Sequence, residues 1–409
     1  MNIKDIHAHE ILDSRGNPTI ECSVTLEDGS IGIASVPSGA STGVNEALEL
    51  RDKDENRYHG NGVLKAVDNV NNIIKPALIG MSCEQNKIDA TLIKLDNSEF
   101  KTNLGANAIL SVSLACLKAA AKSNHKELYE YVSTGRVSMP IPMMNIINGG
   151  KHASSGLDIQ EFMIVPVVKS FKERLRAGSE IFHSLKKMLT SKNLSTGVGD
   201  EGGFAPILDS NEEAIKLIVE AINESGYIPG KDVYIALDVA ATSMYDKTSN
   251  LYNLDNRQVT KEELKNYYIY LMEKYPIISI EDPFQEEDFD SLAEFTKLVN
   301  NKIMIVGDDY FVTNPKFLKK GIEMGAANAI LLKANQIGTI TEMIDTILIA
   351  KRNNYKMVIS HRSGETMDTF ISDLAVGLSI PYIKAGSLSR GERIAKYNRL
   401  LTIEENLQK

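Results

Sequence analysis

Apolar and polar positions alternate over residues 3–35 in the manner of β-strands. Asp28-Gly29 separates two such runs, 19–26 and 31–36, and this dipeptide is a strong signal for a tight hairpin. The next stretch, Pro37-Ser38-Gly39-Ala40-Ser41-Thr42-Gly43, is built of small residues and predicts a mobile or sharply bent loop. The period then changes. Val63, Ala66, Val67, Val70, Ile73 and Ile74 fall on one helical face, which Pro76 is expected to stop. Ile88, Leu92 and Leu95 mark a second helical face. Residues 107–122 are apolar almost all round, so that helix should be buried. Strands followed by segregated helices predict an N-terminal α+β domain over residues 1–135.

Near Ser138-Met139-Pro140 the pattern changes again. Strand-like runs at 234–238, 277–281, 303–308, 329–333, 357–361 and 382–384 alternate with helical ones at 261–274, 288–299, 314–321, 338–352, 368–378 and 390–407. Two earlier runs, 141–147 and 161–167, read as strands, with helices near 171–192 and 211–224 between them and the rest. Eight strands, mostly followed by helices, predict a (β/α)₈ barrel over residues 136–409. An open doubly wound sheet is the alternative, but no Gly-rich dinucleotide turn follows an early strand.

The late strands end in chemistry. The short apolar run 329–332, bounded by Asn328 and polar residues beyond, reads as a strand buried on both faces and delivers Lys333 at its carboxyl end. A lysine there either snorkels to solvent or has a lowered pKa and takes a proton. Five other strand ends carry Asp238, Glu281, Asp308, His361 and Lys384, and active sites of such barrels gather at that face. Asp238, Glu281 and Asp308 would repel one another unless a cation lies between them. An all-oxygen donor set favours Mg²⁺ over zinc, the plainer reading being a solvated acidic rim. Asp282 and Asp309 follow two of these residues as supporting groups or further ligands. A metal and a like charge each lower a lysine pKa, so Lys333 and Lys384 are expected to be depressed. A neutral lysine beside a divalent cation suits removal of a proton next to a carboxylate, because the dianion formed needs strong positive charge. That pairing of Lys and Mg²⁺ is an established arrangement.

Gly199-Asp200-Glu201-Gly202-Gly203 places a carboxylate in a glycine-rich turn, and Glu201 is a candidate general acid. Glu161, at the start of its strand, is a candidate to share that proton work or to cap the sheet. Ser360-His361-Arg362-Ser363-Gly364-Glu365 looks suited to an anion, with Arg362 and Ser363 matched to phosphate. His152, after Gly149-Gly150, is ambiguous alone.

Composition narrows the class. The chain has 409 residues, ordinary hydrophobic content of 43% and a formal net charge of −9, against a nucleic-acid protein. Cys22, Cys83 and Cys116 have neither disulfide nor zinc spacing, which points to a reducing compartment. The N-terminus lacks a signal-peptide pattern and no apolar run reaches membrane-spanning length, so the expected home is the cytoplasm.

These stretches, in this order, resemble the enolase family. The resemblance covers nearly the whole chain. It rests on Asp13-Ser14-Arg15-Gly16-Asn17-Pro18-Thr19, the 37–43 loop, Glu49-Leu50-Arg51-Asp52, Gly105-Ala106-Asn107-Ala108-Ile109-Leu110 and Met144-Asn145-Ile146-Ile147-Asn148-Gly149-Gly150. Downstream it continues through the 199–203 turn, Ser279-Ile280-Glu281-Asp282, Gly307-Asp308-Asp309, Asn335-Gln336-Ile337-Gly338, the 360–365 segment and Ala395-Lys396-Tyr397-Asn398. The resemblance implies reversible dehydration of 2-phospho-D-glycerate to phosphoenolpyruvate with two Mg²⁺. It implies that Asp238, Glu281 and Asp308 hold one metal, and that Ser41 reaches a second shared with the phosphate. It assigns C2 proton abstraction to Lys333 and protonation of the leaving C3 hydroxyl to Glu201 supported by Glu161. It gives phosphate to Arg362 and Ser363, the substrate carboxylate side to Lys384, and the pocket walls to His152 and His361. It also implies a barrel opening ββαα with one antiparallel strand, and a homodimer or higher homo-oligomer. A non-catalytic relative serving as a binding or structural protein, and a related lyase or racemase, are the competing readings.

The chain departs from the family at several points. Ser243 and Met367 stand where Glu is usual, Tyr310 where Leu is usual, and Ala385 where Thr is usual. Several of these are expected just behind the site. Ala334, beside Lys333, is also smaller than usual. Thr402 replaces an Arg that commonly pairs with the position of Glu21 across the family's dimer.

Overall fold

The computed structural model describes residues 1–40, 43–153 and 155–409. Strands β1 (Ile3–Leu12), β2 (Pro18–Leu26) and β3 (Ile31–Ser35) form an antiparallel sheet in that order. Its inner face buries Ile6, Ile20, Cys22 and Ala34. The Ala106–Ser123 helix packs there, buried along nearly its whole length as its unbroken apolar character predicts. The approach is backbone to backbone, because a Cβ on Gly32 would lie 2.0 Å from the Ala115 carbonyl oxygen and 2.3 Å from the Ala119 nitrogen.

The helical face from Val63 does not stop at Pro76. The chain runs through Leu64–Asp68, a π turn at Asn69–Ile74, and Lys75–Leu78. A proline ring inside a regular α-helix collides with the carbonyl four residues back. The wider π turn before Pro76, and its place at the start of the last segment, relieve that conflict.

Strands β4 (Ile141–Asn148), β5 (Glu161–Pro166) and β6 (Val233–Asp238) begin the second unit. β5 pairs antiparallel with both neighbours. The helices Phe171–Ser191 and Asn211–Glu224 lie between β5 and β6 in the chain. Three short strands follow, β7 (Tyr245–Asp246), β8 (Leu251–Leu254) and β9 (Arg257–Val259), forming a small antiparallel sheet that the sequence did not announce. Then come β10 (Ile277–Glu281), β11 (Met304–Gly307), β12 (Ala329–Leu332), β13 (Lys356–Ser360) and β14 (Tyr382–Lys384).

Eight of these strands close a barrel in the order β10-β11-β12-β13-β14-β4-β5-β6. Only β5 opposes the common direction, so the barrel reads ββαα(βα)₆. Met163, Ala236, Val306, Leu331 and Val358 belong to the cluster filling its interior. Side chains along a strand alternate sides with period two. The next inward positions toward the mouth are therefore Glu161, Asp238, Asp308, Lys333 and Ser360. Among the described residues no helix is long and apolar enough to cross a membrane.

Candidate active site

The inward register and the loops beyond the strands bring most of the predicted side chains to one narrow cleft, with Glu281 and Asp308 beside it and not in its lining. Glu161, Glu201, Asp238, Lys333, Arg362, Ser363 and Lys384 line it, with His152 and His361. Gln160 and Ser360 complete the wall.

Lys384 Nζ is the hub of one half. It lies 2.9 Å from Asp238 Oδ2, 3.0 Å from Glu281 Oε2 and 3.1 Å from Glu161 Oε1. Asp308 belongs to the other half. It forms an ion pair with Lys333 Nζ, and its Oδ1 accepts from Gln336 Nε2 at 2.8 Å. Gln336 in turn accepts from the Thr313 hydroxyl, which accepts from the Lys333 backbone N–H, so one short circuit fixes Lys333 and Asp308 together.

The expectation of depressed lysines included a metal beside them, and the protein groups by themselves act in the opposite direction. Burial pulls the Lys333 ammonium down, but Asp308 and Glu281 act together against it and the net direction is up. Burial likewise opposes charge on Lys384, yet Asp238, Glu161 and Glu281 hold it well above the usual lysine range. The expected trio is also divided. Asp238 and Glu281 converge on Lys384, whereas the three-residue groups whose ligand atoms lie within 4.8 Å of one another, among the described residues, are His152/Glu161/Glu201 and Asp282/Asp308/Asp309. Asp282 accepts the backbone N–H groups of Asp308 and Asp309, both at 2.9 Å, and thereby shapes the turn that presents Asp308.

The donor chemistry fits a hard cation. Asp238, Glu281 and Asp308 offer only oxygen, and the buried Gln160 Oε1 and Glu161 Oε2 have no hydrogen-bond partner among the described residues. A divalent ion that takes oxygen ligands would satisfy such groups.

Glu161 and Glu201 form the acidic pair. His152 Nδ1 stands between them, 3.6 Å from Glu161 Oε1 and 3.5 Å from Glu201 Oε1. Burial, then the charge of Glu201, pushes the Glu161 carboxyl well above its usual range. Burial also opposes charge on Glu201, but His152 and His361 outweigh it and hold Glu201 down. Asn145 Nδ2 donates to Glu201 Oε2 at 3.0 Å, fixing the carboxylate from the β4 side.

Arg362 and Ser363 stand at the rim, engaged by the N-terminal domain. Arg362 Nη1 donates to Glu46 Oε2 at 2.9 Å and to Asn335 Oδ1 at 3.0 Å. The Ala40 N–H donates to Ser363 Oγ at 2.7 Å. Ser41 lies outside the described residues. Glu46, Gln336 and Arg393 are site residues that strand-end reasoning missed. Glu46 is 316 positions from Arg362 and carries no local signal. Gln336 and Arg393 lay inside or beside motif segments without a role suggested by spacing.

The departures separate into two kinds. Ser243 is exposed, and Met367 is 65% exposed, so neither sits behind the cleft as expected. Tyr310 and Ala385 are buried, as is Ala334. The Tyr310 ring meets Phe289 edge-on at 5.2 Å, which accounts for its accommodation. Nothing in the structure explains Ala385. The Thr402 hydroxyl donates along its own helix, to the Asn398 carbonyl at 3.1 Å, while Glu21 accepts from Ser35 Oγ at 2.6 Å.

Two family models match the chain. One, described as Enolase, C-terminal TIM barrel domain, covers residues 136–409, and the other, described as Enolase, N-terminal domain, covers 3–132.

Proposed function

The chain belongs to the enolase family, and from that premise we propose that it catalyses the reversible dehydration of 2-phospho-D-glycerate to phosphoenolpyruvate. One observation carries the reading. Lys333 follows β12 and Glu161 opens β5, and these strands stand four places apart in a closed ring of eight, facing each other across the barrel. A base and an acid on opposite walls suit loss of a proton from one face of a substrate and departure of hydroxide from the other.

In this reading Lys333, in its neutral form, takes the C2 proton. The electron pair left on C2 becomes the new C2–C3 double bond. The C3 hydroxyl departs with the proton shared by Glu161 and Glu201, as water. In the reverse direction the Lys333 ammonium returns its proton to C2. Arg362 and Ser363 hold the phosphate, which would compete with Glu46 for the guanidinium. Lys384 lies on the substrate-carboxylate side, and His152 and His361 keep the acid pair dry and oriented. Mg²⁺, held by Asp238, Glu281 and Asp308 with a second ion reached by Ser41, would supply the positive charge that stabilises a carboxylate dianion and frees Lys333 from its ammonium state. The family also carries the expectation of a cytoplasmic homo-oligomer. The spacing of Cys22, Cys83 and Cys116 carries the matching expectation of a reducing compartment.

The test is direct. Purified protein with Mg²⁺ and 2-phosphoglycerate should form phosphoenolpyruvate, followed by its ultraviolet absorbance. Absence of product, or undiminished turnover in Lys333→Ala, overturns the assignment.

A further inference from the structure

Arg393 is completely buried in the Gly391–Leu407 helix. Its guanidinium reaches into the wall behind the acidic pair. Nη1 lies 2.5 Å from His361 Nδ1 and donates to the Arg362 carbonyl at 2.7 Å. Nη2 donates to the Ser363 carbonyl at 2.6 Å and to the Asp200 carbonyl at 3.0 Å. The two Nη atoms carry four hydrogens. They meet these four acceptors at 3.0 Å or less, with Ser14 Oγ farther from Nη2 at 3.4 Å, and one of the near positions is a ring nitrogen.

We propose that Arg393 is a positioning residue that fixes His361 as the tautomer with hydrogen on Nε2, aimed at Glu201. An arginine has no lone pair to offer, so Nδ1 at 2.5 Å serves as the acceptor and carries no hydrogen. A neutral imidazole then holds its hydrogen on Nε2. That atom is buried, has no hydrogen-bond partner among the described residues, and lies 3.4 Å from Glu201 Oε1, its nearest carboxylate oxygen across an ion-pair distance. The opposite tautomer would turn a lone pair toward the carboxylate and drive Nδ1–H against the guanidinium. Protonating the ring would require the same Nδ1 hydrogen. Burial, with the neighbouring Arg393 charge, agrees in direction, bringing His361 down to about 4 against the pull of Glu201 and Glu365.

The role follows from the acid assignment above and rests on it. A fixed Nε2–H stabilises Glu201 as the carboxylate left after a proton has gone to the departing hydroxyl. The same guanidinium ties the carbonyls of Asp200, Arg362 and Ser363 together, so the turn bearing Glu201 and the segment bearing the proposed phosphate ligands share one anchor. Space is made for it at Gly386, where a Cβ would lie 2.7 Å from Arg393 Cδ and 2.8 Å from the Glu201 carbonyl oxygen.

The experiment reads the tautomer itself. Protein labelled with ¹⁵N-histidine is examined by two-bond proton–nitrogen correlation, with His361 assigned from the spectrum of His361→Asn. The wild type should give the Nε2–H pattern for His361. Arg393→Lys keeps a donor toward Nδ1 and should keep that pattern. Arg393→Met removes the donor and should shift His361 toward Nδ1–H or a mixture, with kcat down about tenfold and KM little changed. An Nδ1–H or cationic His361 in the wild type overturns the proposal, and so does an unchanged Nε2–H pattern in folded Arg393→Met. If Arg393→Met fails to fold, the wild-type and Arg393→Lys spectra decide. A wild type that shows the Nε2–H pattern but never converts 2-phosphoglycerate defeats the proposed reaction alone.

Discussion

Lys333 owes its position to arithmetic. Ala329 and Leu331 fill the barrel interior, and the residue two places on must point the same way, into the mouth. Its partner was beyond reach of that reasoning, because the pairing with Asp308 depends on how a different strand ends. Nor did strand-end types alone show that Asp308 raises Lys333 or that Asp238, Glu161 and Glu281 raise Lys384. The proposed roles of base and acid separate experimentally. Lys333→Ala should lose both phosphoenolpyruvate formation and exchange of the C2 proton with solvent, by about 10²–10⁴-fold. Glu201→Gln should lose product formation to a similar degree while still exchanging C2–H, since the base is untouched. Deuterium incorporation followed by NMR or mass spectrometry distinguishes them. Equal loss of exchange in both variants would end the division of labour argued here.

At the scale of elements, the helices and the apolar barrel strands were legible, β12 and β14 included although they have only four and three residues. The reading of 171–192 corresponds to Phe171–Ser191, and 211–224 to Asn211–Glu224. β7 to β9 escaped because their two to four residues mix polar and apolar side chains and offer no buried apolar run. The turn Asp255-Asn256, with both φ angles positive, was their one available signal. Contacts between elements carry two predictions. Gly32→Ala forces a Cβ into the backbone of the Ala106–Ser123 helix, so it should cost about 1–3 kcal/mol or more in urea unfolding. A loss below about 0.5 kcal/mol would mean that the sheet and helix separate more easily than their contact implies. Glu212 joins its helix to the next, accepting from Lys274 Nζ at 2.7 Å, Tyr275 OH at 2.6 Å and Tyr270 OH at 3.1 Å. Burial alone would raise it, but those three donors bring it from 4.5 down to about 2. A depressed carboxylate stabilises the fold above its unfolded pKa, and that contribution disappears as pH falls through the folded value. Glu212→Gln should therefore lower Tm at pH 7 by about 1–2 °C, a small effect at a solvated site. The difference from wild type should shrink between pH 4.5 and about 2. A pH-independent difference would assign the effect to packing instead.

The whole molecule completes its site by joining the two units. Ser38 and Gly364 exchange backbone hydrogen bonds at 2.7 and 2.8 Å, Ala40 reaches Ser363, and Glu46 reaches Arg362. None of these pairs was legible, because each links positions more than 300 apart whose meeting depends on how a finished sheet docks on a finished barrel. The barrel mouth, by contrast, was legible from types alone, since six chemistry-bearing residues at successive strand ends have one place to go. Concentrating carboxylates there has a thermodynamic consequence. Burial, then Asp238, pushes Glu281 well above its usual range, so the folded chain holds acidic groups that would each prefer water. An ion that binds the folded chain and not the unfolded one stabilises it by mass action, by about 2.7 kcal/mol at a hundredfold excess over Kd. For a chain of 409 residues that corresponds to a rise in Tm of about 3 °C. Mg²⁺ should therefore raise Tm by this order in scanning calorimetry, and Asp238→Asn or Asp308→Asn should remove most of the rise. Since the lysines already neutralise these carboxylates through direct ion pairs, the magnitude depends on how far Lys333 and Lys384 give way to the ion. A shift of equal size in wild type and both variants would place the responsible Mg²⁺ elsewhere on the molecule.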